Sequence, residues 1–400
     1  MTAEFSATER FHLYALFFYF GMGVMAIAPR TPDLKHNLGL SNGTFGTLLS
    51  MGSVGSVVAL LIMGRIAHRF GARPIMVLGS TTMLLPIAIM PFLHAGWLYL
   101  LLNIITGFGV STFHISINGQ TIHRQNQTGL LLLPRLHGTW CVGAFATALL
   151  AFFITPCLSL ARHITSLEII LWILIMISIR RLQPTLIGPT HEADFSPQIT
   201  PRAILRAFNN HRLIAIAQLF AVQIEFSDND WATLFARQQL HMSAALSTLP
   251  YLVFVGGMIS LRLTVNKFIT KRAEEYWLTL FPIVGGTLFS IFLIIGPVVA
   301  RTNAYLGFFI SLVGFLAGGM GCSFMMPLLY DLAARFSNLP GSVIIAELGL
   351  INAILVFVAK IIISWVAQAT SISIALLIPG LLLILTSTVA RVGKGQTHTL

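Results

Sequence analysis

Gly64-Arg65-Ile66-Ala67-His68-Arg69-Phe70-Gly71-Ala72-Arg73 is a short basic gap between two long apolar runs. A membrane-crossing helix needs about 20 predominantly apolar residues. The ten residues therefore read as a connection between two spans, not as a turn of a globular core. The same ruler, moved outward in both directions, finds twelve runs in the 400 residues, near 11–30, 42–63, 74–93, 97–122, 136–157, 163–180, 211–235, 243–265, 275–299, 303–328, 342–366 and 370–390. None alternates apolar and polar residues over about ten positions, which excludes a transmembrane barrel.

Composition agrees with this reading. The chain is 56% hydrophobic and 9% charged, with mean hydropathy +0.84, where a soluble domain averages about 25% charged residues. Lipid solvates such a surface and water does not. A net charge of +11 would suggest nucleic acid in a soluble protein. Here the basic residues fall in the gaps between apolar runs, so they read as topology signals and no nucleic-acid partner is expected. Twelve spans place both termini on one side. That side collects 18 of the 24 Lys and Arg residues, the opposite side five, and Lys360 falls inside a run. Both termini are expected in the cytoplasm. No cleavage site follows the first run, which is read as a retained helix rather than a signal peptide. Cys141, Cys157 and Cys322 form no CxxC pair and are expected to be small apolar packers.

The longest polar stretch, 181–210, carries Pro184, Pro189, Pro197 and Pro201 with Gly188. It is expected to be a cytoplasmic linker between two six-helix bundles, 1–180 and 211–400. An internal repeat points the same way. Asn266-Lys267-Phe268-Ile269-Thr270-Lys271 lies 198 residues beyond His68-Arg69-Phe70-Gly71-Ala72-Arg73 and shares its basic, aromatic, basic spacing. Such repeats are a mark of transporter folds.

The 64–73 segment resembles the loop signature of the major facilitator superfamily. In more detail, Arg30-Thr31-Pro32, Pro134-Arg135-Leu136-His137-Gly138, Asn229-Asp230-Trp231 and Gly319-Met320-Gly321 are similar to segments of a bacterial branch related to fucose permease. The resemblance implies an all-α membrane protein of twelve helices in two pseudo-symmetric six-helix bundles. It also implies a gating loop made of Gly64, Arg65, His68, Arg69, Gly71 and Arg73, with Asn266 and Lys267 as its second-half counterpart. His68 and Asn266 stand where the family signature has an acid that latches helices in one gating state.

Polar residues inside a span are costly and usually face an interior or a cavity. Gly107, Ser111, His114, Asn118 and Thr121 are spaced 4, 3, 4 and 3, so they share one helix face. That face is either a helix–helix contact or a cavity lining, and His114 with Asn118 favours the cavity. Ser111, His114, Asn118, His137 and Trp231 are the candidate solute-binding residues. Glu225 sits deep in span seven, where a carboxylate is costly to keep charged, so it is a candidate to load and unload a proton. His114 is the second candidate for that role. Asp228 and Asp230 lie nearer the helix end and are expected to form a solvated rim. Lys360 is expected to snorkel to the interface.

GxxxxGK[ST], HExxH and GxSxG are all absent, so neither a P-loop ATP motor nor these hydrolytic centres are expected. No enzyme activity, cofactor or metal is expected. The reading is a monomeric secondary transporter of the bacterial cytoplasmic membrane, with the lipid bilayer, a small sugar-like solute and protons as its partners. The alternatives are an exporter of amphipathic compounds and a non-transporting sensor or scaffold.

Overall fold

In the computed structural model, residues 6–130, 132–182, 201–264, 274–323, 325–326, 328–329 and 341–396 are described. Among them the chain is helical and contains no strand. The helices are α1 (Ala7–Val24), α2 (Thr31–Leu38), α3 (Asn42–Ser50), α4 (Gly52–Phe70), α5 (Ala72–Ile89), α6 (Gly96–Thr128), α7 (Leu133–Ile154) and α8 (Leu160–Arg181). After them come α9 (Pro201–Gln238), α10 (Leu249–Thr264), α11 (Glu274–Ala300), α12 (Ala304–Cys322), α13 (Gly341–Ala369) and α14 (Ile372–Gln396).

Nine helical segments among the described residues are long and apolar enough to cross a membrane, and two shorter apolar helices, Leu246–Arg262 and Ile372–Thr388, join them. The remaining long helix is α9, 38 residues, whose polar side chains lower its hydropathy. Large apolar side chains such as Phe153 (65% exposed) and Phe309 (63%) lie on the outside. Water would make that surface aggregate, and a bilayer solvates it. Trp97, Tyr276 and Tyr305, all exposed, begin α6, α11 and α12, where amphipathic rings sit at the headgroup level.

The chain divides into two compact units, Met1–Leu40 with Leu48–Gln198, and Ser41–Thr47 with Ile199–Leu400. In the first, small residues bring backbones together. A Cβ on Gly21 of α1 would collide with the Trp140 carbonyl of α7, and one on Gly143 of α7 would collide with the Phe18 carbonyl of α1. Gly107 of α6 meets Gly52 of α4 in the same way, and Ser56 Oγ donates to the Gly107 carbonyl at 3.0 Å. In the second unit Gly319 of α12 abuts the Phe254 carbonyl of α10, and Gly321 lies 2.8 Å from Gly285 Cα of α11 once a Cβ is built on it. Without a hydrophobic drive between helices in lipid, close backbone approach is what holds them.

Four expectations are corrected at this level. The 64–73 segment is helix up to Phe70, and only Gly71 interrupts it. Gly71 has φ 83°, and a Cβ there would meet nothing within 4 Å, so the backbone conformation itself requires glycine. Of the 181–210 stretch expected to be a linker, Arg181 ends α8 and 201–210 belong to α9, while 183–200 lie outside the described residues. Proline fits the first turn of a helix, where no N–H is needed. The first span is not one helix. Pro29 and Pro32 interrupt it, giving α1, a 3₁₀ turn at Ala28–Arg30 and α2. Finally, Cys157 is exposed in the turn between α7 and α8, while Cys141 and Cys322 are buried.

Candidate functional site

In the first unit, the tight α1–α7 contact brings Phe17 and Phe20 against His137 and Trp140. Ring centroids lie 5.6 Å apart for Phe17–His137 and 6.5 Å for Phe20–Trp140. From α6, His114 completes the group at 6.1 Å from Phe20 and 5.8 Å from His137. His114 is exposed although it lies mid-way along a 33-residue spanning helix. One turn on, Asn118 Nδ2 lies 2.9 Å from His114 Nε2. With Asn118 donating, Nε2 accepts and the imidazole proton sits on Nδ1, available to a solute. Two further groups of the cluster have no protein partner: Asn118 Oδ1, an acceptor, and Trp140 Nε1, a donor. Aromatic walls with a few unpaired donors and acceptors are the usual build of a small-molecule site.

The rest of the polar α6 face behaves differently. Gly107 serves the α4 contact. Thr121 is buried and donates to the Ile117 carbonyl of its own helix at 2.8 Å. Ser111 is half-buried between those packing residues and His114. Trp140 was not singled out from sequence, yet it follows His137 by three residues and so shares its face.

In the second unit, α9 carries Glu225, Asp228 and Asp230. Asp228 is 1% exposed and neither of its oxygens has a partner. Asp230 Oδ2 pairs with Lys360 Nζ of α13 at 2.8 Å, with side chains 11% and 13% exposed. Lys360 also stands over the Phe226 ring at 5.2 Å. The solvated rim expected for Asp228 and Asp230, and the snorkelling expected for Lys360, are thus both corrected. A lysine amine beside a buried carboxylate gains more from pairing than from reaching the interface. Glu225 is half-buried. Its charged neighbour is Arg262 of α10, whose Nε donates to the Ser323 carbonyl at 2.7 Å. Trp231 is 2% exposed and packs against Gly46, where a built Cβ would come within 2.9 Å of its ring. Its surface is closed to a solute.

Arg73 of the signature segment donates through Nη2 to the Leu182 and Arg180 carbonyls at 2.8 and 3.2 Å, satisfying the free C-terminal end of α8. Arg69 is exposed over Phe70. Arg65 and His68 lie on the helical backbone of α4, and their side chains are outside the described set. Gly64 is in open space. Asn266 and Lys267 lie outside the described residues.

Two arginines counted from sequence as topology charges are structural. Arg124, 1% exposed, holds Glu9 of α1 through Nε and Nη2 at 2.8 and 2.7 Å and Gln127 at 2.7 Å. Arg30, 3% exposed, donates to Asp33 at 2.6 Å and to the Leu158 carbonyl at 3.3 Å, and lies 3.3 Å from His163 Nδ1. The signal available for Arg124 was its place on the buried stripe of α6, one turn beyond Gln120.

Helical spans held by small residues, with polar side chains at mid-span, define a multi-pass membrane protein. The chain belongs to the Major Facilitator Superfamily, whose model matches residues 13–346. An uncharacterised transporter of this superfamily from Yersinia pestis is 22% identical over 381 residues, covering 94% of this chain and 93% of the relative. An uncharacterised transporter of Sinorhizobium fredii is also 22% identical, over 92% and 93% of the two chains. Among solved structures, the nucleoside transporter NupG matches in a single-substitution variant with TM-score 0.77 at 12% identity, covering 96% of this chain and 99% of that one. The D-xylose-proton symporter matches with TM-score 0.70 at 14% identity over 96% of both. The protein is therefore a transporter and not an enzyme.

Proposed function

We propose that the chain is a secondary transporter that moves a small polar solute across a bacterial cytoplasmic membrane by alternating access, coupled to protons. In this reading it acts as a monomer with twelve spans and both termini in the cytoplasm. His114, Asn118, His137 and Trp140 bind the solute on the first unit, with Ser111 at the edge. The observation that carries this reading is the exposed His114 at mid-span, bonded to Asn118 and ringed by Phe20 and His137. A polar solute leaving water must exchange its hydrogen bonds for such groups. The named solutes of the structural neighbours, a nucleoside and D-xylose, are of that size and polarity.

Proton coupling rests on charge accounting in α9. Three carboxyls face two cations. Lys360 is committed to Asp230 and Arg262 lies near Glu225, which leaves Asp228 without a counter-charge among the described residues. A buried acid without a cation is a group that takes up a proton. Asp228, with Glu225 beside it, is therefore the coupling centre of α9.

The test is uptake of a panel of radiolabelled nucleosides and pentoses into liposomes, with and without an imposed pH gradient. The wild type accumulates one solute class against its gradient only when the proton gradient drives it. Glu225→Gln and Asp228→Asn lose uphill accumulation but keep exchange between two loaded compartments. Unchanged uphill uptake in both variants removes the α9 acids from coupling, and uptake indifferent to the gradient removes proton coupling altogether.

A further inference from the structure

Among the described acids of the first unit, two have cations: Glu9 has Arg124 and Asp33 has Arg30. Glu168, in the middle of α8, has none. It is fully buried, and neither carboxyl oxygen has a hydrogen-bond partner. The carboxyl lies against α1 at Gly23, where a built Cβ would collide with the Leu84 side chain of α5 and stand 3.4 Å from Glu168 Oε2. Glycine at position 23 leaves room for the Leu84 side chain, and the acid packs beside it between α1, α5 and α8.

Charged and titratable groups on every element packed against Glu168 are committed elsewhere or distant. On α1, Glu9 is held by Arg124, Arg10 is exposed at the helix start, and His12 faces Ser178 Oγ. Ser178 is about 15 Å further along α8. Tyr14 and Tyr19 make no hydrogen bond to the carboxyl. On α5, Arg73 caps the end of α8. The 3₁₀ turn Met90–Phe92 carries no ionisable group. On α8 itself, Arg162, Arg180 and Arg181 are at the two ends. His163 is turned to Arg30, and five residues along a helix put it on a different face from Glu168. Burial, with no charged neighbour among the described residues, sets the environment of this carboxyl. An ionised carboxylate left in such surroundings without a partner is too costly to persist, and such groups neutralise instead.

We propose that Glu168 is a proton-binding site of the first unit. Its carboxyl holds a proton while α8 is seated on Gly23 of α1, and gives that proton to water when the contact opens and hydrates it. The exchange is a simple acid dissociation, carboxylic acid to carboxylate with the proton passing to water, and it reverses on reseating. The site lies in the first unit, apart from the α9 acids, and stands whether or not these couple transport.

Infrared difference spectroscopy on the purified protein tests it, because the protonated carboxyl has a C=O stretching band that the carboxylate lacks. No substrate is required. Spectra are recorded across about pH 4 to 9, a range that brackets ordinary and perturbed carboxyls. A band present in wild type and missing in Glu168→Gln is expected to titrate reversibly within that range. Gly23→Ala, which places a methyl beside the carboxyl and displaces the Leu84 side chain next to it, is expected to shift the midpoint of the same band, and it identifies the band if Glu168→Gln fails to fold. A Glu168 band that stays constant throughout means a permanently neutral structural acid and overturns the proposal. So does the absence of any such band, which means a permanently charged one. Unchanged proton-driven uptake in the α9 variants, with the Glu168 band titrating normally, would count against the coupling assignment and leave this site standing.

Discussion

Replacing Lys360 with methionine keeps an unbranched stem beside Phe226 and removes the charge facing Asp230. At 2.8 Å the pair attracts with about 6 kcal/mol at an effective dielectric constant near 20. Much of that offsets the cost of taking two ions out of water, which is several kcal/mol for each. The intact pair therefore contributes little net stability. Removing one partner is different, because Asp230, 11% exposed, is left charged and buried alone. The expected loss for Lys360→Met is about 3–5 kcal/mol. Asp230→Asn should cost less, because the lysine stem can carry its amine toward the interface. The double variant Lys360→Met/Asp230→Asn should return close to wild type, giving a coupling energy of up to about 3 kcal/mol in a double-mutant cycle. Thermal unfolding in detergent, read by intrinsic fluorescence, supplies the four stabilities. Equal losses for Lys360→Met with and without Asp230→Asn would show that the two residues do not act together, and the reasoning would fail.

Three further outcomes follow from the same coordinates. Cys157 is the exposed cysteine and lies in the turn between α7 and α8. With cytoplasmic termini this turn is outside, so an impermeant maleimide should label intact cells and spare Cys157→Ser; labelling only after permeabilisation would reverse the topology. Gly71→Ala meets no atom within 4 Å but must hold φ 83°, so its melting temperature should fall by the equivalent of about 1–2 kcal/mol, and an unchanged value would mean the backbone relaxes freely there. His114→Ala and Asn118→Ala should keep near-native melting temperatures but lose solute-induced stabilisation, by about 1–3 kcal/mol or about 5- to 150-fold in affinity; early melting with normal binding would make the pair structural.

Much of this architecture is legible in the chain alone, because a bilayer imposes one simple rule. Every backbone polar group must be satisfied within its own segment, so each span is a helix of about 20 apolar residues and can be counted by eye. The His114–Asn118 pair is equally local, since residues four apart on a helix always meet. The fate of the buried charges is not local. Arg124 and Glu9 are 115 residues apart in sequence, and nothing in the composition near either one shows that they meet rather than face water. Likewise Asp228, Asp230 and Lys360 read as polar helix ends until α9 and α13 are set side by side. Glu168 reads as one acid among many apolar neighbours until α8 is set against Gly23 of α1 and Leu84 of α5. Sequence determined where the helices are, because the solvent fixes their length and polarity. Only the tertiary structure decided which ionisable groups are paired and which are alone, because that depends on which helix faces meet, and small residues far apart in the chain settle those meetings.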